Sequence, residues 1–193
     1  MRRRLFVAVA LGERARSACA TLAARLRDTP FVARWTVPEN YHLTVAFLGG
    51  IDAERVVLVE DVLRAAAPAL APFDVPLDAV GGFPNARRPR VVWAGPSRAV
   101  AGFRALCAAV RAPLARLGFS FDPHDDAHVT LARADGAAAL PPIAPPRALQ
   151  RVDALTLFES FTERAGPRYV ALARFGFGAG AASEAPGRER STR

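Results

Sequence analysis

A mixed α+β fold is what the sequence predicts, on three observations. Segments with helical spacing of apolar residues interleave with short strand-like segments. The last two strand-like segments meet at a tight turn, Arg164-Ala165-Gly166-Pro167, which makes an antiparallel hairpin. Short turns elsewhere argue against a wholly parallel sheet, whose strands need long crossovers. The chain has 193 residues, half of them apolar, enough for one sizeable domain or two small lobes sharing an interface.

The elements follow in chain order. The apolar run Leu5 to Leu11 predicts a buried first strand; a signal peptide is the weaker reading, because Glu13, Arg14 and Arg16 follow at once without a convincing cleavage site. From Glu13 to Arg27, Ala15, Ala18, Cys19, Leu22 and Leu26 share one helical face, and Asp28-Thr29-Pro30 ends the helix. Phe31 to Thr36 reads as extended, Pro38-Glu39-Asn40 as a turn, and Tyr41 to Leu48 as a strand closed by Gly49-Gly50. Asp52 caps a helix over Ala53 to Ala67, stopped by Pro68 and Pro72. Phe73 to Val80 predicts a strand running into Gly81-Gly82-Phe83-Pro84, and Arg90 to Ala94 another.

Ser97 opens a helix to about Leu117, with Pro113 kinking or breaking it. Gly118 turns the chain into Phe119-Ser120-Phe121. A strand follows over Ala127 to Arg133, then a Pro/Ala loop over Ala137 to Pro146, then the hairpin Val152 to Phe161 and Arg168 to Phe177. Residues 178–193 lack apolar periodicity and read as a disordered tail, which leaves 1–177 as the folded domain.

Net charge is +8, from 26 basic and 18 acidic residues, and every basic residue is arginine. Without lysine, covalent catalysis through an amine and the lysine of a P-loop are both excluded. The basic surplus favours polyanionic partners, and the guanidinium fork suits phosphate. Cys19 and Cys107 have no metal-ligand spacing and read as buried thiols in a reducing cytosol. No apolar run reaches the length of a membrane span, so the expectation is a cytoplasmic chain with no membrane partner.

Two tetrads repeat: His42-Leu43-Thr44-Val45 and His128-Val129-Thr130-Leu131, which hold two of the three histidines. Strand side chains alternate between faces, so each His shares a face with its Thr while the apolar partners face the core. Phosphodiester cleavage needs a base for the attacking water and an acid for the departing alkoxide. An imidazole serves in either role near neutral pH, so two on opposite sides of phosphorus suffice without a metal. Thr44 and Thr130 are donors for the non-bridging oxygens. Tyr41, Phe47 and Phe83 are candidates for stacking on a base, although strict alternation with Leu43 and Val45 puts Phe47 in the core. Arg87, Arg88 and Arg90 are candidates to guide a polyanionic backbone, with a plain solvated turn as the equal alternative.

From Arg4 to about Phe177 the chain resembles the two-histidine phosphoesterase superfamily, most of all the RNA 2′,3′-cyclic phosphodiesterases, also called 2′-5′ RNA ligases. The residues that carry the resemblance are RLFVAVAL, RWTVPENYHLTVAFLG, RPRVVWAG, HVTLAR, LTLFES and Tyr169-Val170-Ala171-Leu172. The resemblance implies a bilobal fold in which two antiparallel sheets, related by pseudo-twofold symmetry, line a cleft with helices outside. It implies metal-free opening of an RNA 2′,3′-cyclic phosphate to a 2′-phosphate, reversible in principle to 2′-5′ joining. His42 is then the proton donor to the 3′-oxygen and His128 the acceptor from water. Thr44 and Thr130 hold the phosphate, with Arg133 as a further contact if the strand ends or twists there. RNA ends or 2′,3′-cyclic nucleotides are the expected partners of a monomer that needs no cofactor.

The chain departs from the family where Ala127 stands in place of a common proline, and where Asp125 and Asp126 precede His128. A carboxylate there is expected to raise the pKa of His128 and weaken it as a base. The same residues supply one rival reading, a metal-dependent phosphohydrolase using His124, Asp125, Asp126 and His128. A non-catalytic RNA-binding module is the other.

Overall fold

A computed structural model describes residues 2–164 and 166–178. Ten strands and three helices follow in the order β1 (Arg2–Ala10), α1 (Glu13–Arg27), β2 (Arg34–Trp35), β3 (His42–Asp52), α2 (Ala53–Ala66), β4 (Phe73–Leu77), β5 (Ala79–Phe83), β6 (Val91–Gly95), α3 (Ala101–Arg116), β7 (Val129–Arg133), β8 (Ala148–Val152), β9 (Ala154–Glu163) and β10 (Gly166–Gly176) among the described residues. The predicted tail from 179 onward lies outside them.

Every strand pair is antiparallel. Eight strands form one sheet in the order β10-β9-β1-β3-β7-β6-β5, with β2 added beside β7, and β4 and β8 pair separately. At the centre β3 meets β7 through a single pair, Leu43 with Val129. That narrow joint divides the sheet into two lobes, each ending on a strand that follows one of the histidine motifs. Leu43 and Val129 are fully buried. They share the core with Leu5, Val7 and Val9 of β1, Leu155 and Leu157 of β9, and the helix residues Leu22, Leu26, Leu63, Phe103 and Leu114. The helices lie outside: α1 packs on β8 and β7, while α3 packs on α2 and β3.

The two motif strands carry the same irregularity. In β3, Val7 pairs with Ala46 and Ala8 with Thr44, so Val45 is an extra residue; in β7, Val92 pairs with Ala132 and Trp93 with Thr130, so Leu131 is extra. Such a bulge reverses the inward-outward alternation beyond it. Val45 with Ala46, and Leu131 with Ala132, are consecutive buried residues. Phe47 and Arg133 therefore return to the faces that carry His42 with Thr44, and His128 with Thr130.

Several boundaries differ from the prediction. Gly49-Gly50 does not close its strand: Leu48 is an extra residue between the pairs Phe6–Phe47 and Leu5–Gly49, Gly49 has φ 71°, and β3 continues to Asp52. The predicted strand Phe73 to Val80 is two strands broken at Asp78, whose carboxylate accepts from the Ser97 N–H at 2.7 Å. With Ser97 held there, α3 begins at Ala101, and it runs through Pro113. Phe119 to Phe121 is not a strand, only Arg34–Trp35 pairs within Phe31 to Thr36, and β8 went unpredicted.

Candidate active site

The Leu43–Val129 pair fixes the centre of the site. Counting outward along antiparallel strands sets His42 opposite Thr130 and Thr44 opposite His128. All four side chains leave the sheet on the face away from the core, with the imidazoles on a diagonal about a local twofold axis. The four predicted residues are thus brought together.

Both imidazoles are oriented in the same way. Nδ1 of His42 lies 2.7 Å from the carbonyl of Asn40, and Nδ1 of His128 lies 3.0 Å from the carbonyl of Asp126. A carbonyl only accepts, so each Nδ1 carries the proton and each Nε2 is left for chemistry. His42 Nε2 sits 3.0 Å from the Thr44 hydroxyl, which donates to it when the ring is neutral. Asn40 is itself held, its amide donating to the Pro167 carbonyl at 2.6 Å.

Burial lowers the pKa of both rings. His42 is pushed down to about 4 by burial and by the charge of His128, against the Asn40 carbonyl. His128 is also held below the usual imidazole value by burial; the Asp126 carbonyl and carboxylate oppose this without reversing it. The Asp126 carboxylate does raise His128 as expected, but burial outweighs it and the net shift is downward. Arg104 of α3 pairs with both acids, 3.4 Å from Asp125 and 3.4 Å from Asp126.

Aromatic rings wall the cleft. Phe6 lies 4.9 Å from His42 and stacks on Phe158 at 5.2 Å, while Tyr169 meets His42 edge-on at 5.4 Å. On the other lobe Phe83 meets His128 edge-on at 5.1 Å and is backed by Trp93 at 5.5 Å. A cavity of about 220 Å³ opens there, lined by Phe83, Trp93, Ser97, Asp125, Asp126 and His128 among others. The Trp93 indole N–H is buried with no partner among the described residues.

Phe47 is 64 % exposed, and the bulge is why the core position expected from alternation fails. Phe83 is 37 % exposed beside His128. Tyr41 is only 4 % exposed and burial pushes its phenol up to about 12, so it is removed from the stacking candidates. Arg133 is exposed on the cleft face; burial raises the Tyr169 phenol above its ordinary value, and the Arg133 charge partly opposes this. Arg87, Arg88 and Arg90 are exposed around the turn from β5 to β6.

The rival metal cluster does not assemble. Its carboxylates face Arg104, His124 is exposed with Asp122 as its nearest acid at 3.8 Å, and no group of three metal-ligating side chains converges among the described residues. Sequence reasoning missed Phe6, Phe158, Tyr169 and the Asn40 and Asp126 carbonyls. The backbone acceptors leave no residue-type signal, and the rings are on strands that are distant in sequence.

Residues 9–93 match the sequence profile described as LigT like phosphoesterase. An RNA 2′,3′-cyclic phosphodiesterase of Archaeoglobus fulgidus is 34 % identical over 130 residues, 67 % of this chain and 72 % of that one. Another, of Aeropyrum pernix, is 33 % identical over 166 residues, 77 % of this chain and 91 % of that one. The crystal structure of Escherichia coli LigT complexed with 3′-AMP superposes with a TM-score of 0.79 at 30 % identity, covering 92 % of this chain and 99 % of that one.

Proposed function

The chain belongs to the LigT-like phosphoesterase family of RNA 2′,3′-cyclic phosphodiesterases, and from that premise we propose that it opens RNA-terminal 2′,3′-cyclic phosphates through His42 and His128, without a metal, leaving a 2′-phosphate. One observation carries the reading: two imidazoles lie on a diagonal across one twofold joint, each with Nδ1 tied to a carbonyl, which makes Nε2 the atom that exchanges a proton.

Nε2 of neutral His128 takes a proton from the attacking water. Nε2–H of protonated His42 gives one to the departing 3′-oxygen, so the P–O3′ bond breaks as the P–O(water) bond forms. In the free protein burial keeps His42 neutral at pH 7; the negative phosphate in the cleft favours its protonated form. This order of roles follows the family resemblance. Thr44 and Thr130 donate to the non-bridging oxygens, and Arg133, returned to that face by the bulge in β7, supplies a guanidinium. Phe83 and Phe47 offer exposed rings to a base. The E. coli relative was crystallised with 3′-AMP, which fits a nucleotide as the bound species here. Joining of 2′-5′ ends is the same step reversed.

The test is turnover of a nucleoside 2′,3′-cyclic phosphate in excess EDTA, with the product identified by chromatography. The 2′-monophosphate is expected. A 3′-monophosphate, or activity abolished by EDTA and restored by a divalent cation, overturns the reading.

A further inference from the structure

A second cavity, of about 410 Å³, opens where β1 ends and α1 begins. It is separate from the one beside His128. Its wall includes Gly12, Arg14, Gln150, Arg151, Thr156 and Arg174. Gly12 is the N-cap of α1 and offers no side chain to the first turn, so the N–H groups of Glu13, Arg14 and Ala15 lack helical acceptors at the positive end of the helix dipole. The buried Gln150 fixes this entry by accepting from the Gly12 N–H at 2.9 Å.

Thr156 is the second and independent feature. It is 5 % exposed, it lines the cavity, and its side chain makes no hydrogen bond among the described residues. A threonine hydroxyl on the cavity wall with no partner among the described residues can donate to a bound acceptor. The acids nearby are occupied: Glu13 pairs with Arg16, and Asp153 with Arg174 at 3.2 Å. Arg174 keeps further N–H donors, as does Arg151, which pairs with Asp74 at 3.5 Å, and Arg14 adds another guanidinium group at the rim.

The cavity is in register with the histidines. Thr44, Ala8, Thr156 and Arg174 form one row across β3, β1, β9 and β10. At the usual strand spacing Thr156 stands about 10 Å from Thr44 on the same face of the sheet. Phosphates bound by the two hydroxyls and leaning toward each other along the row come within the reach of one nucleotide.

We propose that this cavity is a second phosphate subsite, which takes the phosphodiester on the 5′ side of the terminal nucleoside of an RNA substrate. The inference rests on the cyclic phosphate being processed at His42 and His128. With its terminal phosphate there, the RNA runs along the row toward α1, and its next phosphate meets the helix N-terminus, the Thr156 hydroxyl and the arginines. An extended RNA end is then preferred over a mononucleotide.

The experiment compares two substrates, a nucleoside 2′,3′-cyclic phosphate with a free 5′-hydroxyl and a dinucleotide with the same cyclic end, in wild type, Thr156→Val and Arg14→Gln. The wild type is expected to show a KM about tenfold lower for the dinucleotide, the scale of one charge-assisted contact. Each variant raises that KM by up to about tenfold and leaves kcat, and both constants for the nucleoside substrate, unchanged. Arg14 is exposed, so its variant tests the subsite even if Thr156→Val perturbs the sheet. Equal wild-type KM values for the two substrates, or variants that affect both alike, overturn the subsite while the hydrolytic reading stands. A wild type inert on both substrates overturns that reading and this inference with it.

Discussion

Burial sets the proton affinity of both imidazoles, and this has a consequence for pH. His42 is pushed to about 4 and His128 below its ordinary value of about 6.5. The acid form of one and the base form of the other coexist best between the two macroscopic pKa values, both of which lie on the acid side of 6.5. The kcat/KM profile is therefore expected to be a bell centred below pH 6.5, and the kcat profile to sit at higher pH because bound phosphate raises His42. Profiles over pH 4–9 check this; a kcat/KM optimum above pH 7 contradicts it. The pairing of each His with its Thr was legible because strand alternation is local. The sign of the His128 shift was not, because it is set by burial of the ring in the folded cleft, which outweighs the Asp126 carbonyl and carboxylate.

Bulges at matching places in β3 and β7 decide what the cleft face carries beyond each motif. One extra residue in each strand moves Phe47 and Arg133 from the core side to the cleft. No residue in either tetrad announces a bulge, since Val45 and Leu131 are ordinary strand residues; only the partner strands reveal it. The glycine pair was legible as a break in alternation, but the same signal fits a strand end or a bulge. Gly49 has a positive φ and no neighbour within 4 Å of where a Cβ would stand. Gly49→Ala is expected to cost about 1 kcal/mol through backbone conformation alone. Chemical denaturation checks the value, and an unchanged or increased stability contradicts it.

Two lobes joined by one residue pair need another means of holding the motifs in register, and Arg111 of α3 supplies it. Its guanidinium donates to the carbonyl of Val45, the bulged residue of β3, at 2.7 Å, and to the carbonyls of Asp122 and His124 at 3.1 Å. One side chain thus ties the first motif to the loop that delivers the second. Arg111→Met keeps most of the stem and removes the donors. It is expected to lower kcat by about tenfold to a hundredfold with Tm falling by a few degrees; retained kcat with a lowered Tm assigns Arg111 to stability alone. The α+β class and the pairing of the two motifs were readable from the chain because both rest on short-range pattern and repetition. The clamp was not, because an arginine within a helix has no local signature of the carbonyls it reaches.

The central claim is that two imidazoles across one joint carry the reaction. Its most direct measurement is kcat/KM for a nucleoside 2′,3′-cyclic phosphate in excess EDTA, for wild type, His42→Ala and His128→Ala. The expected result is turnover by the wild type and a loss of about a hundredfold to ten-thousandfold in each variant. Near-wild-type activity in either variant contradicts the account.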